Sequence, residues 1–120
     1  MITEAEKYLG YPYVWGGASP ETSFDCSGFV CWVINHCGNG WSVGRMTAEG
    51  LRGACTYVSP QNAKPGDLIF FEKTYETVGA SHVGIYVGDG MMIHCGDPIQ
   101  YTSINSAYWQ EHFLGFGRLP

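Results

Sequence analysis

The spacing of apolar residues changes near the middle of the chain, and this change restricts the possible folds more than any other feature. From Cys26 to Cys37 the apolar side chains recur every three or four residues, the spacing of one face of an α-helix. After the turn at Lys64-Pro65-Gly66 they fall into short runs separated by glycine and aspartate, which is typical of β-strands. Helices followed by an antiparallel sheet predict an α+β fold rather than alternating α/β.

The same patterns predict individual elements. The predicted helices are residues 3–9 with Thr3 as the N-cap, a long helix from Asp25 to about Cys37, and one or two turns over 47–51. The predicted strands are 67–71, 83–87, 91–95, 99–104 and 114–119, with a helical turn within 105–112.

Composition fits one globular domain and excludes several classes of function. The chain has 120 residues, of which 45% are apolar and 14% charged, so it can bury one core and disorder is not expected. The net charge of −5 argues against a nucleic-acid partner, and no apolar stretch is long enough for a transmembrane segment. The first residues show no signal-peptide pattern, so we expect one domain, residues 1–120, excised from a longer protein that is secreted or associated with the cell wall. A monomer is the default expectation.

The cysteines are five, at positions 26, 31, 37, 55 and 95, and this odd number leaves at least one unpaired within the chain. None of them forms a C-x-x-C pair, which weakens the zinc-site and redox interpretations, and no metal or cofactor is expected. On a helix Cys31 lies about 140° around from Cys26, so these two are not expected to pair. The pairing of Cys37, Cys55 and Cys95 stays open.

Cys26 follows a strong helix N-cap residue, Asp25, and therefore lies in the first turn of the long helix. The free N–H groups and the helix dipole at this end stabilise a thiolate and could also stabilise an oxyanion on a substrate carbonyl. Taken alone, the pattern favours Cys26 as simply the first apolar residue of the helix, since free cysteine is commonly buried.

Two histidines, His82 and His94, bracket a predicted hairpin. A two-residue turn at Asp89-Gly90 would place them on opposite faces, whereas a three-residue loop, Gly88-Asp89-Gly90, places His94 opposite Gly84 and on the face of His82. Gly90 suits the left-handed third position of the longer loop, so we expect the three-residue loop and adjacent imidazoles. With Cys26 as nucleophile, His82 would be the base and His94 would orient it.

Four segments together resemble the NlpC-type peptidases, the NlpC/p-sixty family. They are Tyr11 to Gly17, Asp25 to Phe29, Pro65 to Phe71 and His82 to Gly88, and they occur in order along nearly the whole chain. The resemblance implies a papain-like fold, with the N-terminal cysteine-bearing helix packed on an antiparallel β-sheet. It also implies cleavage of peptidoglycan stem peptides at the bond from γ-D-Glu to diaminopimelate or Lys.

The resemblance also implies roles for individual residues. Cys26 matches the nucleophile, His82 the base and His94 the third polar residue. Tyr13 matches a tyrosine whose hydroxyl helps to form the oxyanion hole, and its phenol can donate to a developing oxyanion. The residues at positions that line the substrate groove are Asp25, Ser27 and Trp15.

One segment departs from the pattern of relatives that recycle short peptides with a free L-Ala amine. Those relatives tend to carry Arg-Asp-Ser after the cysteine helix, whereas Arg45-Met46-Thr47 stands here. The missing acidic residue favours intact cell wall as the substrate.

Other functions stay open at this point. An N-acetylmuramoyl-L-alanine amidase or an acyltransferase would use the same Cys-His pair. A metal-binding module would use His82, His94, Cys95 and another cysteine, although adjacent residues of a strand point to opposite faces. A non-catalytic wall-binding domain would have no need of a nucleophile and a base.

Overall fold

The computed structural model describes residues 1–120, which form four α-helices and eight β-strands. The helices are α1 (Ile2–Glu6), α2 (Cys26–His36), α3 (Ala48–Ala54) and α4 (Ala107–His112). The strands are β1 (Ala18–Ser19), β2 (Ser23–Phe24), β3 (Thr56–Val58), β4 (Leu68–Glu72), β5 (Ala80–Gly88), β6 (Met91–Cys95), β7 (Ile99–Ser103) and β8 (Phe113–Arg118). None of the helices combines the length and the hydropathy that crossing a bilayer requires.

Six strands form one antiparallel sheet in the order β3-β8-β4-β5-β6-β7, and β1 pairs with β2 separately. Sequence neighbours β4, β5, β6 and β7 lie side by side, as expected for a meander. The α+β prediction is therefore confirmed, with each predicted helix and strand present within a few residues.

The sheet is covered on both faces, because its side chains alternate between them. One face packs on α2, whose buried residues Phe29, Val30, Val33 and Ile34 follow the predicted helical spacing. Strand residues on this face include Leu68, Phe70, Val83, Ile85 and Ile93. A smaller core on the other face includes Ile69, Phe71, Met92 and Phe116, with Trp109 of α4 packed against it.

The start of α2 lies very close to the segment before β1. A Cβ added to Gly28 would lie 2.1 Å from the carbonyl oxygen of Gly17, a distance that no real side chain tolerates. Glycine at position 28 therefore lets the backbone of residues 16–18 reach the helix beside Cys26.

Several predictions of detail were wrong or incomplete. Thr3 is not an N-cap, because α1 begins at Ile2 and has no side-chain cap. The sequence pattern missed β1, β2, β3 and a 3-10 turn at Pro60–Asn62, since elements of two or three residues are too short to show a period. All five cysteines are free thiols.

Candidate active site

A groove of about 410 Å³ lies beside the N-terminal end of α2. It is lined by residues from four parts of the chain: Tyr13, Trp15, Gly16, Asp25, Cys26, Ser27, Arg45, Met46, Thr47, Ala48, Tyr75 and Ser81. The predicted nucleophile thus lies in the wall of a cavity together with Tyr13, Asp25, Ser27 and Trp15, which the resemblance assigned to the site.

Cys26 is the first residue of α2, and its position follows from the cap. The Asp25 carboxylate accepts a hydrogen bond of 2.8 Å from the N–H of Gly28, so the predicted N-cap is confirmed. The Cys26 thiol, 8% exposed, lies 3.9 Å from the Ser81 carbonyl oxygen, and its sulfur also contacts the backbone of Val83. The nucleophile therefore touches β5 on both sides of His82.

His82 and His94 are hydrogen-bonded, as predicted. His82 Nε2 and His94 Nδ1 are 2.8 Å apart, and the two rings stand at 83° to each other. Ile85 faces Ile93 in the β5–β6 pairing, which places Gly84 beside His94. A Cβ on Gly84 would meet the Met92 sulfur at 2.9 Å and His94 Cβ at 3.1 Å, so glycine leaves the room that brings the imidazoles together.

The predicted hairpin loop was wrong although the predicted register is right. Gly88 pairs with Met91, so the turn has two residues, Asp89 and Gly90, and both have positive φ (53° and 72°). This geometry matches a type I′ turn. The register shifts between Tyr86 and Gly88, where Val87 is an extra residue, and this β-bulge restores the alignment that a two-residue turn would lose.

Two residues around the histidine pair were not predicted from the sequence. Thr102 of β7 has its hydroxyl 2.9 Å from His94 Nε2. The Trp109 ring of α4 lies 5.2 Å from the His82 ring and 5.4 Å from the His94 ring, measured between centroids. Thr102 could have been found by extending the hairpin register to β7, because it faces Met92. Trp109 could not, since no strand register reaches α4.

Asp25 joins three segments of the site. Besides capping α2, its carboxylate accepts a 3.0 Å hydrogen bond from the N–H of Gly16 and two 2.8 Å hydrogen bonds from Arg45 Nη2. Arg45 also donates to the Ser27 hydroxyl at 2.9 Å. A carboxylate has about four acceptor positions, so Asp25 is saturated by these donors and its charge is neutralised by Arg45.

Three aromatic side chains, Tyr13, Trp15 and Tyr75, also line the groove. The Trp15 and Tyr75 rings pack edge to face at 5.4 Å, and Trp15 is 70% exposed. Burial, and next the neighbouring Cys26 and Asp25, raise the pKa of the Tyr13 hydroxyl well above its usual range. Tyr13 therefore stays a hydrogen-bond donor at neutral pH, as its expected place in an oxyanion hole requires.

Burial sets the protonation of the nucleophile and the histidines. It raises the pKa of the Cys26 thiol to about 11, against the smaller lowering effect of the Val83 and Ser27 backbone. It lowers the pKa of His82 to about 3, with a further contribution from His94, and that of His94 to about 4. Desolvation therefore opposes the thiolate that was expected at this helix end, and it outweighs the backbone hydrogen bonds that favour the charged form.

These values predict how the stability of the fold depends on pH. Both pKa values are lowered from 6.5, so between pH 6.5 and about 4 the unfolded chain binds protons that the folded chain does not. The free energy of unfolding should therefore fall as the pH falls through this range, by up to about 1.4 kcal/mol per pH unit for each histidine. Urea denaturation of the wild type and of His94→Asn tests this, since the variant should lose stability less steeply. Parallel curves for the two proteins would contradict it.

The metal-binding alternative finds no support in the arrangement of side chains. No group of three or more His, Cys, Asp or Glu residues is placed to hold a metal ion. Both ring nitrogens of His94 have hydrogen-bond partners, while the Cys95 thiol donates to the Phe24 carbonyl oxygen at 3.2 Å.

Comparison with known proteins identifies the family. The NlpC/P60 family profile matches residues 10–118. The chain is 47% identical over 120 residues to the bifunctional muramidase/DL-endopeptidase CwlT of Bacillus subtilis, covering 99% of the chain and 36% of that protein. It is 36% identical over 129 residues to the gamma-DL-glutamyl hydrolase of the same organism, covering 98% of the chain and 28% of that protein.

Solved structures agree with this result. A Staphylococcus aureus protein described as similar to lipoprotein, of the NLP/P60 family, superimposes with a TM-score of 0.92 at 45% identity, covering 98% of this chain and 39% of that one. The chain belongs to the NlpC/P60 family. It spans about a third of the length of the curated relatives it matches.

Proposed function

We propose that this chain is a cysteine endopeptidase that hydrolyses peptidoglycan stem peptides at the bond from γ-D-Glu to diaminopimelate or Lys. One observation carries the proposal: the Cys26 sulfur touches β5 on both sides of His82, whose ring is hydrogen-bonded to His94. Relatives named DL-endopeptidase and gamma-DL-glutamyl hydrolase supply the substrate class.

The reaction begins from neutral partners. His82 takes the thiol proton of Cys26 as the sulfur attacks the scissile carbonyl carbon, and the carbonyl oxygen becomes an oxyanion. The C–N bond then breaks, His82 gives its proton to the leaving amine, and a thioester remains on Cys26. Water, deprotonated by His82, attacks the thioester and releases the γ-D-Glu carboxylate, which restores the thiol.

Donors for the oxyanion come from two places. The backbone N–H of Cys26 lies at the start of α2, where the Asp25 cap binds the N–H of Gly28 instead, and the protonated Tyr13 hydroxyl belongs to a residue that lines the same groove. Donors of this kind stabilise the charge that develops in the transition state rather than the charge of the substrate.

The charges of the groove favour intact wall over short peptides with a free amine. Asp25 and Arg45 are the only charged side chains that line it, and they form an ion pair. A cationic amine would need an unpaired carboxylate, and the groove offers none. The Arg45-Met46-Thr47 segment therefore supports the preference that the sequence suggested.

Two alternatives use the same groove. An N-acetylmuramoyl-L-alanine amidase would use the same Cys26 and His82 but cut the amide between sugar and L-Ala. A wall-binding domain would use the groove without catalysis, but a thiol against the backbone that flanks His82 has no evident role in binding alone.

The experiment is digestion of purified peptidoglycan with this chain, followed by mass spectrometry of the products. New amino termini of diaminopimelate or Lys are expected. New L-Ala termini would instead establish an amidase, and binding without any new terminus would establish a wall-binding domain.

The proposal includes a setting for the reaction. A substrate in the cell wall requires that the protein be secreted or wall-associated, and the longer relatives support a domain within a larger protein. Fractionation of cells that produce the full protein should find it with the wall or the medium.

A further inference from the structure

The histidine pair continues into a third side chain. His94 Nδ1 faces His82, and His94 Nε2 faces the Thr102 hydroxyl at 2.9 Å. In the β6–β7 register His94 is opposite Gln100, so Thr102 is its diagonal neighbour on the same face. We propose that Thr102 is a positioning residue, the last member of a hydrogen-bond chain from His82 through His94, which holds His94 in the form that keeps His82 a base.

The positions of the protons along this series of hydrogen bonds explain why the Thr102 hydroxyl is needed. The catalytic role requires an unprotonated Nδ1 on His82, so the proton of its neutral ring lies on Nε2 and is donated to His94 Nδ1. The neutral His94 ring then carries its own proton on Nε2, and this N–H needs an acceptor. The Thr102 hydroxyl oxygen is the acceptor within reach.

Enclosure of the rings makes this acceptor important. His94 is only 4% exposed, and Trp109 lies edge-on to its ring. The backbone of Gly96 also lies close to the His94 ring, because a Cβ added to Gly96 would lie 3.1 Å from His94 Cε1. A buried N–H without a partner is unfavourable, so loss of the Thr102 hydroxyl should drive the proton from His94 Nε2 to Nδ1.

That shift would disable the base without moving it. With a proton on His94 Nδ1, the hydrogen bond to His82 Nε2 reverses direction, and the proton of His82 moves to Nδ1. His82 could then no longer accept the proton of Cys26. The expected proton positions of the wild type and the effect on catalysis both rest on the proposed function, whereas NMR measures the dependence of the proton positions on the Thr102 hydroxyl without any assay of activity.

The test is Thr102→Val, which keeps the shape of the side chain and removes the hydroxyl, beside Thr102→Ser, which keeps the hydroxyl. Thr102→Val should lower kcat on a stem-peptide substrate about tenfold with little change in KM. In the variant, ¹⁵N NMR of the imidazoles should show more proton on His94 Nδ1 and His82 Nδ1 than in the wild type. Thr102→Ser should restore kcat and the proton positions. The matched control, Thr56→Val on the exposed part of β3, should change neither.

Unchanged imidazole signals in Thr102→Val would overturn the inference, even if kcat fell. Failure of Thr102→Ser to restore the wild-type behaviour would overturn it as well. If the wild-type chain cleaves no stem peptide, the proposed function fails, and the NMR comparison still decides the role of Thr102.

Discussion

Replacement of Cys26 by alanine or by serine is expected to abolish hydrolysis of peptidoglycan. Loss of a catalytic nucleophile removes a factor of about 10³ or more from kcat. Serine should not substitute, because its hydroxyl is far less acidic than a thiol and His82, with a pKa lowered to about 3, is a weak base. Release of soluble muropeptides from purified wall, followed over time, measures the loss.

The chain offers a matched control on the same helix. Cys31 is also a buried thiol of α2 that lies near a backbone carbonyl, with its sulfur 3.8 Å from the Met46 oxygen. Cys31→Ala should keep its activity, and circular dichroism should show both alanine variants folded. A fully active Cys26→Ala would end the proposal of a cysteine peptidase.

Replacement of Gly28 by alanine should destabilise the fold more than the other proposed substitutions. The new methyl group would lie 2.1 Å from the Gly17 carbonyl oxygen and 3.0 Å from the Asp25 carboxylate, and the first of these is backbone that cannot rotate away. The gain of about 1 kcal/mol in helix propensity does not offset such overpacking. We expect the free energy of unfolding to fall by about 3 kcal/mol, measured by urea denaturation.

Gly53→Ala is the matched control for Gly28→Ala, because the same substitution should here stabilise the protein. Gly53 is exposed on α3, and a Cβ added there meets nothing within 4 Å. Alanine should therefore stabilise the protein by up to about 1 kcal/mol through helix propensity. Equal destabilisation by the two variants would show that close packing at Gly28 is not the cause.

The sequence predicted the parts of the fold that rest on local patterns. The apolar period of α2 and the cap at Asp25 placed Cys26 at the helix start, and the short apolar runs separated by glycine and aspartate located the main strands. The histidine pair was predicted from a three-residue loop, and the register is right only because the bulge at Val87 compensates for the two-residue turn that the structure has. These are features in which a few neighbouring residues determine the geometry.

What the sequence did not predict depends on contacts between distant segments. The raised pKa of Cys26 follows from its burial against β5, which the helix pattern alone does not contain. Trp109 reaches the histidines from a helix near the end of the chain. From the sequence, Arg45 was considered only as part of the Arg45-Met46-Thr47 segment. Its ion pair with Asp25 was not predicted, because it depends on how the loop before α3 folds back on α2.

The bulge at Val87 makes the position of His94 depend on which β5 residues pair with β6. If Val87 paired with Met92 instead of bulging, the two-residue turn would close a regular ladder, Ile85 would lie opposite His94, and His94 would face the side of the sheet away from His82. A regular ladder would form as good a hairpin, so the fold does not require the bulge, whereas the hydrogen bond between His82 and His94 does. A substitution that let Val87 join the ladder would therefore keep the hairpin and separate the two imidazoles, which makes the irregularity at Val87 a feature of the histidine pair rather than of the fold.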